Sequence, residues 1–85
     1  METIVQVAVK INDKIYTLPR PKRHSDVYTI AHKDQPRNFK AKVDGFITST
    51  GRFVDRREAA EIAFNAHQII SDDFTFASLY SEDIF

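Results

Sequence analysis

The segment GFITSTGRFVDRREA, from Gly45 to Ala59, brings two glycines, three hydroxyl residues, two phenylalanines and three arginines together ahead of a predicted helix. Such a stretch can hold a phosphate, form a catalytic centre, or turn a corner. The phosphate reading rests on Arg56. It follows Asp55, a helix N-cap residue type, so its guanidinium falls near the positive end of the helix dipole. A cation beside free N–H groups suits an anion. Arg52, four residues earlier, can supply a second guanidinium. Asp55, itself an anion, opposes this reading. Neither GxxxxGK(S/T) nor GxGxxG is present, so no nucleotide fingerprint applies. In the plain structural reading, Gly45 and Gly51 permit tight turns and Phe46 and Phe53 fill the core.

Catalysis finds less support. Arg57-Glu58-Ala59-Ala60-Glu61 resembles the R-E-hydrophobic-x-E core of Nudix diphosphatases. Those enzymes need a further Glu where this chain has Ile62, and an upstream Glu where it has Gly51. Two magnesium-binding carboxylates are missing, so a metal-dependent hydrolase is not expected. His24, His32 and His67 lack metal-ligand spacing, and the chain has no Cys. His24 and Asp26 can orient one another, but no nucleophile stands beside them in sequence. The expectation is therefore a protein that is not an enzyme, with no metal and no cofactor.

Eighty-five residues at 42% hydrophobic and 28% charged make one soluble domain with a marginal core. Oligomerisation is a natural route to more buried area for such a domain. The N-terminal segment has no signal-peptide pattern and no apolar run reaches spanning length, so a cytoplasmic location is expected. Net charge is zero but uneven. From Lys10 to Lys42 there are nine cations against three acids, and from Val43 onward three cations against eight acids. This asymmetry fits an anionic ligand, complementary faces of two subunits, or no role at all.

The elements that must position these residues read as α+β. Thr3 to Ile11 alternates as a strand, Asn12-Asp13-Lys14 supplies turn residues, and Ile15 to Leu18 closes an N-terminal β-hairpin ended by Pro19 and Pro21. A short helix is predicted from Asp26 to Lys33, capped by Ser25, with Val27, Ile30 and Ala31 inward and Pro36 closing it. Asn38 to Asp44 is ambiguous. Gly45 to Ser49 and Arg52 to Val54 read as short strands around a Thr50-Gly51 turn. Asp55 with Glu58 forms a D-x-x-E capping box for a longer C-terminal helix, Arg56 to Gln68. Its stripe is Ala59, Ile62, Ala63, Ala66 and Ile70. Phe74 to Tyr80 reads as a last short strand completing a small antiparallel sheet, and Ile84-Phe85 as a docked terminus.

Taken together, Arg23-His-Ser-Asp-Val27, the Gly45–Ala63 segment and Leu79-Tyr-Ser-Glu-Asp-Ile-Phe85 resemble a widespread group of small phage proteins. Those carry R-H-x-x-V/C, G-F-x-T-x-x-G-R-F-V-x-R-x-E-A and an L-Y-S-E-D-L-W-like end. The pattern is also similar to phage anti-Thoeris proteins, oligomeric sponges that sequester cyclic ADP-ribose-type immune signals without degrading them. That resemblance implies ligand contacts from Arg23, His24 and Asp26 on one side and Arg52 and Arg56 on the other. Phe46, Thr48 and Phe53 lie within the same segment. This chain is shorter than those sponges and ends in Ile-Phe.

The leading expectation is a phage immune-evasion protein, homo-oligomeric, that binds a cyclic nucleotide or cyclic ADP-ribose isomer. Arg52 and Arg56 would clamp phosphates, Arg23 and His24 a second phosphate or a ribose, and Asp26 a hydroxyl or base. Phe46 or Phe53 would stack on a base if not committed to the core. The alternatives are a protein-binding inhibitor of a bacterial defence protein and a small nucleotide hydrolase. Zero net charge argues against duplex nucleic acid as partner.

Overall fold

The structure, a computed structural model, describes residues 1–35 and 41–85. Pro36, read as the stop of the first helix, and Arg37 and Lys40 of the basic stretch lie outside the described residues. The order is β1 (Ile4–Ile11), β2 (Lys14–Pro19), α1 (His24–Asp34), β3 (Lys42–Thr48), β4 (Phe53–Asp55), α2 (Arg56–Asn65) and a 3₁₀ turn (Ser81–Asp83). The strands form one antiparallel sheet in the order β2-β1-β3-β4. The α+β class, the N-terminal hairpin and the small antiparallel sheet all stand as read from the sequence. No helix among the described residues is long and apolar enough to cross a membrane.

Sequence chemistry accounts for these elements. Asn12 and Asp13 take φ of 50° and 69°. They are the paired left-handed residues of a two-residue hairpin turn whose twist matches its strands. Val7, Val9 and Ile11 alternate inward from β1 and are fully buried with Phe46 of β3 and Val54 of β4. Helix α1 covers them with Val27 and Ala31. Helix α2 covers them with Ala59, Ala60 and Ala63, small residues that let its backbone approach the sheet.

Several boundaries depart from expectation; β3, for one, begins at Lys42 rather than Gly45. Helix α1 begins at His24, earlier than Asp26, because Asp26 reaches back. Its carboxylate accepts the Arg23 backbone N–H at 2.9 Å. That bond is half of a capping box, which makes Arg23 rather than Ser25 the cap residue. Helix α2 keeps its Asp55 cap, whose Oδ1 accepts from Glu58 N at 2.8 Å. It ends at Asn65 because His67 turns left-handed at φ 57°. His67 N then bonds Phe64 O at 3.1 Å and Gln68 N bonds Ala63 O at 2.9 Å. This is a Schellman closure with histidine in glycine's usual place. Ile70 therefore falls off the helical stripe and is 69% exposed. The strand expected over Phe74 to Tyr80 is also replaced: a single Thr75–Ser78 bridge forms there, while Phe74 stacks on Phe64 and Phe76 packs against it at a tilt.

Candidate functional site

The earlier helix start decides where His24 goes. As the first helical residue it turns inward, only 8% exposed, with its ring edge-on to Phe46 at 5.0 Å. Its Nε2 lies 2.8 Å from the Gly45 carbonyl oxygen. A carbonyl can only accept, so that nitrogen carries the proton and donates. Burial lowers its pKa, against the raising effect of the Gly45 bond, and the nearby Arg56 charge lowers it further. The imidazole is neutral at neutral pH.

This gives a pH prediction. The unfolded chain takes up a proton near the ordinary histidine value that the folded chain resists. Stability attached to His24 is complete above about pH 6.5 and is lost as pH falls below it. The melting temperature should drop between about pH 7.5 and about pH 5.5, and the drop should shrink in a His24→Gln variant. An unchanged drop would place the responsible group elsewhere.

Arg56 opens α2 and meets three groups. Its Nη1 donates to the Leu79 carbonyl at 2.7 Å, its Nη2 lies 3.4 Å from Asp44 Oδ2, and its guanidinium covers the Tyr80 ring at 4.7 Å. Asp44 also accepts from the Tyr28 hydroxyl. Burial alone would raise Asp44, but the Tyr28 bond and the Arg56 charge together hold it below the usual carboxylate value. Tyr28, desolvated and bonded to that carboxylate, is pushed up to about 12. Arg23 approaches from α1. Its Nη1 lies 3.3 Å from Ser81 Oγ and 3.5 Å from Glu82 Oε1, and its Nη2 lies 3.4 Å from the Phe85 carbonyl oxygen.

A cleft of about 190 Å³ opens between these groups, lined by Arg23, His24, Ser25, Arg56, Tyr80, Ser81 and Glu82. Three stretches distant in sequence meet there: the start of α1, the start of α2 and the C-terminal segment. Both guanidinium side chains reach solvent, 39% exposed for Arg23 and 21% for Arg56. Each keeps N–H donors beyond those engaged.

The remaining residues singled out in the sequence lie elsewhere. Arg52 is held by carboxylates: Nε and Nη2 each sit 2.8 Å from Glu2, and Nη1 sits 2.7 Å from Glu58. The bidentate partner and the Thr48 and Thr50 hydroxyls bring Glu2 down to about 2. Arg52 shares no partner with Arg56, so the two do not converge on one anion in this arrangement. Thr48 is buried, its hydroxyl 3.0 Å from that of Thr50. Phe53 lies against Gly45. Phe46 has no exposed surface and so no face to offer a base; it forms the floor beneath His24. Asp26 acts on the backbone of Arg23.

Sequence reasoning does not single out Asp44, Tyr28, Tyr80 or Ser81 as site residues. Asp44 stands one residue before the segment of interest. Tyr80 and Ser81 stand inside the C-terminal motif, where the aromatic-hydroxyl pair is the available signal. Among the described residues, no three of His, Asp and Glu gather as metal ligands would.

This is a small α+β domain whose basic cleft is built from three segments distant in sequence. The chain belongs to the Phage T4 y16D protein family, which it matches over residues 3–85. It is thus a member of a small phage protein family. No curated protein and no solved structure matches it.

Proposed function

We propose that this phage protein binds a small phosphate-bearing ligand in the Arg23–Arg56 cleft and holds it intact. The ligand would be a nucleotide-type signal whose capture blunts a host defence. The observation that carries the reading is the convergence on one cleft of two partly exposed guanidinium groups with a tyrosine ring and serine hydroxyls. Charge-assisted bonds from arginine to phosphate are the strong kind, and Tyr80 offers a surface to a sugar or base. Glu82 is Arg23's acidic partner and is 71% exposed, so it can swing away when an anion takes its place. At about 190 Å³ the cleft suits a phosphate with part of its ribose. A larger cyclic nucleotide would extend past Tyr80 or be shared with a second subunit.

Calorimetric titration with ADP-ribose, its cyclic isomers and cyclic dinucleotides, followed by recovery of the ligand, tests this. Arg56→Ala should weaken binding by about tenfold to a hundredfold, the range of one charge-assisted bond to phosphate. Arg52→Ala, at its separate carboxylate cluster, should leave binding within about twofold. No binding by the wild-type chain would redirect the reading to a protein partner, and recovery of cleaved ligand would make the chain a hydrolase.

A further inference from the structure

A second groove, of about 370 Å³, lies on the outer face of α2, lined by Arg57, Glu61, Phe64, Asn65 and Phe76. It is a different surface from the Arg23–Arg56 cleft and shares no residue with it. Its apolar wall is Phe64 and Phe76, with Phe74 packed against both rings. Phe64 and Phe76 are 4.8 Å apart, Phe74 and Phe76 5.2 Å, and Phe64 and Phe74 stack at 6.1 Å. Phe64 is 49% exposed and Phe76 54% exposed. Rings of this size left open to water on so small a domain mark an association surface, since aromatic residues are enriched at interfaces and contiguous exposed apolar patches are rare on monomers.

The charges beside the rings say what covers them. Arg57 and Glu61 stand one helical turn apart on the same groove, and neither forms an ion pair among the described residues. A cation and an anion spaced along one helix face are complementary to the same face turned around. A twofold axis setting two α2 helices antiparallel places each Arg57 opposite the partner copy's Glu61. Both charges are then answered at once, as an isologous interface requires. It also sets each copy's phenylalanine cluster at one end of the joined surface, against the start of the partner copy's α2. We infer that the α2 groove seats a second copy of this chain, making a twofold dimer held by reciprocal Arg57–Glu61 pairs and buried phenylalanine rings.

The test is a charge exchange read by sedimentation velocity, with circular dichroism confirming the fold of each variant. The wild-type chain should dimerise. Arg57→Glu sets four acidic groups together across the axis and should raise the dimer dissociation constant by about a hundredfold, as a like-charge clash does. Adding Glu61→Arg on the same chain restores opposite pairs and should recover most of the affinity. Phe64→Ser should dissociate the dimer without rescue by the charge exchange. A wild-type chain that stays monomeric at high concentration overturns the inference and leaves the groove to another protein. A dimer indifferent to Arg57→Glu overturns it as well, placing the contact on another face.

Discussion

Gly45→Ala should unfold this protein more readily than replacement of any other residue by one of similar size. Gly45 sits inside β3, paired with Ala8 on one side and Asp55 on the other. A β-carbon built there overlaps the Val54 carbonyl oxygen and comes within 2.6 Å of Phe53 Cζ. The ring can swing aside, but the carbonyl is backbone of β4. To relieve the clash, β4 has to leave β3, and β4 runs directly into α2 and Arg56. The Gly45 carbonyl that receives His24 would shift with it. Overpacking of this kind costs about 3 kcal/mol or more. A domain of this length has roughly 4 to 13 kcal/mol in all.

Gly51 provides the contrast. Its β-carbon position is open, and only its φ of +87° resists a side chain. Gly51→Ala should therefore cost about 1 kcal/mol. Urea unfolding of both variants measures the difference. Equal effects would show that β4 gives way easily and that the Gly45 contact is not tight enough to matter.

The parts of the fold that are legible in the sequence are those that local chemistry dictates. Asp55 with Glu58 announces the start of α2 to the residue, because a side-chain cap is a contact across three positions. Asn12-Asp13 announces the hairpin because those residues tolerate left-handed backbone. Illegible are the contacts set by packing between distant segments. Arg52 and Arg56 look like neighbours at four residues apart, but that spacing makes neighbours only inside a helix. The helix begins at Arg56, and Arg52 lies beyond β4 in the preceding turn, so the two heads diverge to Glu2 and to Leu79. Asp44 and Tyr80 reach Arg56 across 12 and 24 positions, a juxtaposition that the sheet and the C-terminal segment create. The aromatic run Phe74 to Tyr80 has strand composition, yet the hydrogen bonds of a strand do not form, because its rings find Phe64.

Phe46→Ala should be the costliest side-chain truncation, and it separates two roles for this ring. Phe46 is wholly buried at the centre of the sheet, in register with Val7 on β1 and Val54 on β4. Removing it leaves a cavity that the small alanines of α2 cannot fill, at about 3 to 5 kcal/mol. Part of that loss passes through His24, whose ring meets Phe46 at 86°, close to an ideal edge contact. A double-mutant cycle with His24→Ala should return a coupling of about 0.5 to 1.5 kcal/mol. Phe46→Leu distinguishes floor from ligand platform. If the ring only fills the core, leucine keeps much of the volume. Stability should then fall by about 1 to 2 kcal/mol, while phosphate-ligand affinity below the melting transition stays within a few-fold. If the ring stacks on a bound base, leucine should remove about 1 to 3 kcal/mol of affinity whatever happens to stability. With no exposed face on Phe46, the first outcome is the one expected. The aromatic contact to a ligand then falls to Tyr80, which is half exposed beside Arg56.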